Sequence, residues 1–429
     1  MRTMQIATKL KGWMQAGAAV VLVATLTACG GGSSGSSSNN SSDALNGGTL
    51  PASPTLQPTA TGANTAPITV GKGVGGVINI PTVSVTVCAP GSTTICQTIN
   101  NIQVDTGSFG LRVVSTALST SVLNALPVST QAVTGAPLAE CATFADGYTW
   151  GSVRTATIGI GGETTSTSIP MQIIGDKSTS SLPTGSCGTG AAENTASDLG
   201  ANGILGIGTA PNDCGSDCLT LAYSNYFACP SGSSTCARTT VTEAQQVTNP
   251  VTAFPVDNNG VVVQLPPVSN TGSAGANGTL VFGVGTQPNN ALTASQSFPT
   301  DVSGNLNNSV FNGATVQAFL DSGSNAYFFG DSTLALCSSA YSGFYCPSSA
   351  QTRSITLGGQ SGATASASIG ILSAATLFGN GSNYAFNNLA GQIGGNADFD
   401  LGLPFFYGRH VFYGIDKTST GGAAPFVAF

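Results

Sequence analysis

Two stretches of this chain end alike. Residues 101–110 read NIQVDTGSFG and residues 317–326 read QAFLDSGSNA. In each, an apolar run stops at Asp, a hydroxyl residue, Gly and Ser. One such tetrapeptide is simply a good turn. Two of them, each closing an apolar strand, point to a fold built twice. A second repeated feature agrees. NGILGIG (residues 202–208) in the first half and DLGLPF (residues 400–405) in the second are apolar segments broken by glycine.

Composition narrows the class. Of 429 residues, 41% are hydrophobic and only 7% are charged, so a large core is available and helical surfaces rich in Lys and Glu are not. Gly, Ser, Thr, Asn and Val dominate, a mix that favours strands and turns. Strand-like alternation recurs in VSVTV (83–87), TATIGIGG (155–162), GVVVQL (260–265) and TLVFGVG (279–285). Short helices are expected near 113–125 and 332–340. The class is all-β with few short helices. The net charge of -7 with 11 Lys and Arg leaves no basic stripe for phosphates, so no nucleic-acid partner is expected. The single histidine, His410, sits in an apolar run and reads as a core residue. Sites needing several imidazoles are thereby excluded, and any acid–base work falls to carboxylates.

The first residues read as an export signal. Arg2, Lys9 and Lys11 precede an apolar run over 16–28, too short to span a bilayer. The sequence Leu26-Thr27-Ala28-Cys29 resembles a bacterial lipobox, which implies a signal peptide over 1–28 and lipidation at Cys29. Residues 29–66 read as a flexible Gly/Ser/Asn tether rather than a propeptide. Gly30 after the cysteine implies, in lipobox proteins, delivery to the outer membrane, facing the periplasm or the cell surface. A lipid-anchored monomer of the cell envelope is expected.

Ten cysteines follow Cys29. An even number in an exported protein reads as disulfides. The simplest connectivity joins sequential neighbours: Cys88 with Cys96, Cys214 with Cys218, Cys229 with Cys236, Cys337 with Cys346. Cys141 and Cys187 are left to each other. No metal site and no cofactor are expected. A crossover near 248–260 divides the rest into an N-terminal lobe (67–247) and a C-terminal lobe (248–429).

The repeated tetrapeptide has a chemical logic. Gly107 and Gly323 let backbone amides approach a carboxylate, and a serine two residues past the hydroxyl residue reaches its outer oxygen. If the halves bring Asp105 and Asp321 together, both cannot ionise comfortably, and the pair shares a proton. One carboxylate then takes a proton from water while the other protonates a carbonyl.

With these motifs the chain resembles the pepsin-like aspartic peptidases, and a family of bacterial lipoproteins that carry that core. FADGYTWGS (144–152) falls where those enzymes have a flap hairpin. GTLVFG, LGLPFFYGRHVFYGID and the terminal APFVAF follow in the family's order, so the resemblance covers about 67–429. It implies a bilobal fold of two β-barrel-like lobes around a cleft, with Asp105 and Asp321 catalytic. Thr106 and Ser322 would interlock beneath them, with Gly107, Ser108, Gly323 and Ser324 as support. Tyr148, Trp150 and Gly151 would close over an extended peptide substrate. Two departures stand out: Arg112, where many relatives have an aromatic, and Asp400, where they have an apolar residue. The expected activity is that of an aspartic endopeptidase, a hydrolase. A non-catalytic lipoprotein that keeps the cleft for peptides or glycans is the alternative, and a purely structural surface protein a third.

Overall fold

The computed structural model describes Leu50, residues 61–188 and residues 190–429. The export signal, Cys29 and most of the tether lie outside the described residues.

Alternation builds the strands. Along Pro81–Cys88, Val83, Val85 and Val87 are buried while Ser84 and Thr86 face outward. Among the described residues the strands form two sheets, one of seventeen and one of seven. The seven-stranded sheet is made wholly from the segment between Leu306 and Gly402. The larger sheet takes strands from both ends of the chain. Thr65–Val70 pairs antiparallel with Ala276–Phe282, and His410–Gly414 pairs with Gly260–Gln264. One apolar core runs through both halves, from Val85 and Val104 to Phe282, Leu320, Leu401 and Tyr413. The expected all-β, bilobal architecture is the one observed. Helix is confined to short pieces such as Thr120–Ala125; over 332–340 only the start of the 3-10 turn Ser339–Tyr341 forms.

The repetition seen in the sequence is a repetition of topology. In the first half, Gly203–Ile207 lies between two strands, parallel to Cys96–Asp105 and antiparallel to Phe109–Val114. In the second, Asp398–Gly402 lies parallel to Ala314–Asp321 and antiparallel to Tyr327–Phe329. Each inserted strand carries a glycine opposite the motif aspartate: Gly206 opposite Asp105 and Gly402 opposite Asp321. A tight hairpin supports the second motif strand. Asn312 and Gly313 turn it with φ of 50° and 78°, the left-handed pair that a two-residue loop needs.

The five disulfides among the described residues join the cysteines paired by order in the sequence: 88–96, 141–187, 214–218, 229–236 and 337–346.

Candidate active site

The two motif loops meet at the junction of the halves and hold one another. Ser322 N–H donates to Thr106 Oγ1 at 2.9 Å, and Thr106 N–H donates to Ser322 Oγ at 3.2 Å. Each hydroxyl passes its own hydrogen across the junction, Ser322 Oγ to Val104 O at 2.8 Å and Thr106 Oγ1 to Leu320 O at 3.3 Å. These buried bonds are made between lobes, so each loop is incomplete without the other.

Above this interlock the carboxyl groups are held by mirrored donors. Asp105 Oδ1 accepts from Gly107 N–H at 2.9 Å and Oδ2 from Ser108 Oγ at 2.6 Å. Asp321 Oδ1 accepts from Gly323 N–H at 2.7 Å and Oδ2 from Ser324 Oγ at 2.7 Å. The glycines are required by crowding. A Cβ at Gly107 would fall 2.5 Å from Asp321 Cγ, and one at Gly323 would fall 2.5 Å from Asp105 Oδ1. The two carboxyl groups converge on one point: the Cβ position at Gly323 lies 2.5 Å from Asp105 Oδ1 and 3.0 Å from Asp321 Oδ1. Burial pushes the Asp321 carboxyl well above the usual aspartate range, and the neighbouring Asp105 charge adds to it.

Both aspartates open onto a cavity of about 890 Å³ lined from both halves. From the first half come Gly107, Ser108, Arg112 and the turn at Thr143, Phe144 and Ala145; from the second come Asp301, Gly323 and Ser324. The hairpin of Leu138–Thr143 and Gly147–Ile160 therefore contributes its turn to the cavity wall. The expectation that Tyr148 and Trp150 close the cleft is corrected. Strand alternation puts both on the same face as Cys141. There they pack with Phe227 and Cys187, and Trp150 Nε1 donates to Ser178 O at 3.2 Å. Gly151 meets Ile173, where a Cβ would collide with the carbonyl oxygen.

Arg112 is the centre of a buried ionic group. Its Nη2 contacts Glu140 Oε1 at 2.5 Å and Asp213 Oδ2 at 3.3 Å, and Nη1 donates to Phe109 O at 2.8 Å. Tyr226 Oη donates to Asp213 Oδ1 at 2.7 Å. Burial drives Glu140 well above its ordinary range, against the pull of Arg112. Glu140, Asp213 and Tyr226 were not singled out in the sequence. The signal for them was Arg112 itself: a guanidinium inside an apolar strand requires buried acceptors. Asp400 is fully buried beside the paired aspartates; burial first, then the Asp321 charge, raises its carboxyl well above the usual range.

The chain is similar to a solved structure described as the crystal structure of aspartic proteinase from Irpex lacteus, at 16% identity and a TM-score of 0.46. That match covers 85% of this chain and 96% of the other. No curated protein matches the sequence. A family model described as "Protein of unknown function (DUF3443)" matches residues 60–429, and the chain belongs to that family.

Proposed function

We propose that the protein is an aspartic endopeptidase that hydrolyses peptide bonds with a water activated between Asp105 and Asp321. The observation that carries this reading is the interlocked, mirror-supported carboxyl pair opening onto a cavity shared by both halves. Two carboxyl groups this close share one proton, and burial together with the neighbouring Asp105 charge favours the protonated form of Asp321. Asp105 takes a proton from the water as it attacks the carbonyl carbon, and Asp321 gives its proton to the carbonyl oxygen. The resulting gem-diol carries no net charge, and collapse with protonation of the amine breaks the C–N bond. An extended peptide suits the cavity, whose walls include the hairpin turn at Phe144.

We place this activity at the cell envelope, with the signal ending at Ala28 and a lipid on Cys29 tethering the body to the outer membrane. Lipid labelling of wild type and Cys29→Ala tests the anchor; equal labelling removes it. For the chemistry, the body freed of its tether is assayed on unfolded protein from about pH 3 to 7, the span over which such a pair titrates. Cleavage blocked by a statine-type inhibitor and lost in Asp105→Asn and Asp321→Asn is the expected result. Negligible turnover by the wild type across that range sinks the reading.

A further inference from the structure

The proposed reaction leaves one buried acid beside the pair unused. Asp400 has no exposed surface, and neither of its oxygens has a hydrogen-bond partner among the described residues. The pseudo-symmetry makes the anomaly plain. Two residues before Gly206 in the first half stands Ile204, opposite Gln103. Two residues before Gly402 in the second stands Asp400, opposite Phe319. A carboxyl therefore occupies, in one lobe only, a place filled by an aliphatic side chain in the other. Because side chains two apart share a face, it lies on the face that carries Asp321, on the adjacent strand and diagonal to it.

Among the described residues the titratable groups acting on Asp400 are Asp321, Asp105 and Tyr413, and no cation is among them. An ionised Asp400 would be a further negative charge in an enclosed site with no counter-ion, and such a group neutralises instead. A neutral carboxyl needs an acceptor for its hydrogen. The polar side chain within reach of it is that of Ser324, which as a donor would favour the ionised form. That hydroxyl has given its hydrogen to Asp321 Oδ2, so its lone pairs are open. The backbone keeps Ser324 against this strand end: Leu403 N–H donates to Ser324 O at 2.8 Å, and a Cβ at Gly402 would fall 2.7 Å from the same oxygen.

We propose that Asp400 is a positioning residue of the paired-aspartate site: a carboxyl that stays protonated, turns its O–H to Ser324 Oγ, and so commits the Ser324 hydroxyl to Asp321 Oδ2. A chain of two hydrogen bonds then runs from Asp400 through Ser324 to Asp321, each polarising the next. The catalytic consequence rests on the peptidase reading; the protonation and the bond do not.

Infrared spectroscopy at neutral pH reads the bond without turnover. Wild type is expected to show the carbonyl stretch of a buried protonated carboxyl that Asp400→Asn lacks, and Ser324→Ala is expected to move that band to higher frequency. If Asp400→Asn removes no such band, Asp400 is ionised and the proposal is overturned. If Ser324→Ala leaves the band in place, the acceptor is elsewhere and the proposal is equally overturned. The kinetic arm compares Asp400→Leu, which offers no donor, with Asp400→Asn, whose amide does. The leucine variant is expected to lose about tenfold in kcat at similar KM, with most of it recovered by asparagine. Equal kcat in all three overturns the positioning role. A wild type without peptidase activity whose band behaves as stated removes the peptidase reading and leaves Asp400 hydrogen-bonded and protonated.

Discussion

Thr106 and Ser322 each donate a backbone N–H to the other's hydroxyl, at 3.2 Å and 2.9 Å, across the junction of the two halves. The contact is reciprocal, buried and made of the only part of each motif that does not touch a carboxyl. Removing one hydroxyl leaves an amide without an acceptor in the interior. Thr106→Val, which keeps shape, is expected to cost about 1–3 kcal/mol. Ser322→Ala should cost a similar amount, and the double variant less than the sum. Denaturant midpoints of the single and double variants measure this coupling; strict additivity would mean that the two loops do not support each other.

The glycines of the motifs are predicted to be intolerant for a steric reason. Alanine at Gly107 or Gly323 drives a methyl into the opposite carboxyl group. A displacement near 1 Å at reacting groups costs on the order of a hundredfold in rate. Activity should fall by about that much in Gly107→Ala. Gly381, whose Cβ would meet nothing within 4 Å, is the control, and Gly381→Ala should behave as wild type.

Arg112 is expected to matter for folding more than for chemistry. Its removal leaves Asp213 and Glu140 enclosed without a cation. Arg112→Ala should lose about 3–5 kcal/mol by urea denaturation. Glu140→Gln should cost less, because an amide oxygen still accepts from Arg112 and Asp213 remains as its anion. Combining the two substitutions should recover part of the loss, which a double-mutant cycle reads directly.

The raised Asp321 carboxyl predicts how stability depends on pH. Above the ordinary aspartate range the unfolded chain has released this proton while the folded chain keeps it. The folded state then binds more protons, so stability falls as pH rises until the folded group itself titrates. Urea midpoints taken from about pH 4 to 7 should decline, and Asp321→Asn should flatten part of that slope. Peptidase activity should be lost on the same alkaline side, as Asp321 gives up the proton it donates.

Much of this arrangement was legible in the order of residues, because it is encoded locally. A strand ending in Asp-Thr-Gly-Ser or Asp-Ser-Gly-Ser carries its own turn, its own amide donor and its own serine. The disulfides were equally readable, since four of the five close short loops. What escaped was non-local. Arg112 finds Glu140 and Asp213 only after three separate segments have packed, and nothing near any of them in the sequence names the others. Tyr148 was assigned to the cleft from its place in a flap-like segment. Which way it faces depends on which side of the hairpin the Cys141–Cys187 cluster occupies. Asn312-Gly313, by contrast, is a hairpin signal that its own two residues carry.

The strand Thr65–Val70 finds its long partner in Ala276–Phe282, with Thr65 opposite Val281. Such a pairing closes a very large loop and is slow to form. The opening strand of the sheet must wait, unpaired along that edge, until the chain beyond residue 276 has emerged and folded. A body assembled this way shares one sheet between its early and late segments, so a cut between them would separate strands that pair residue for residue.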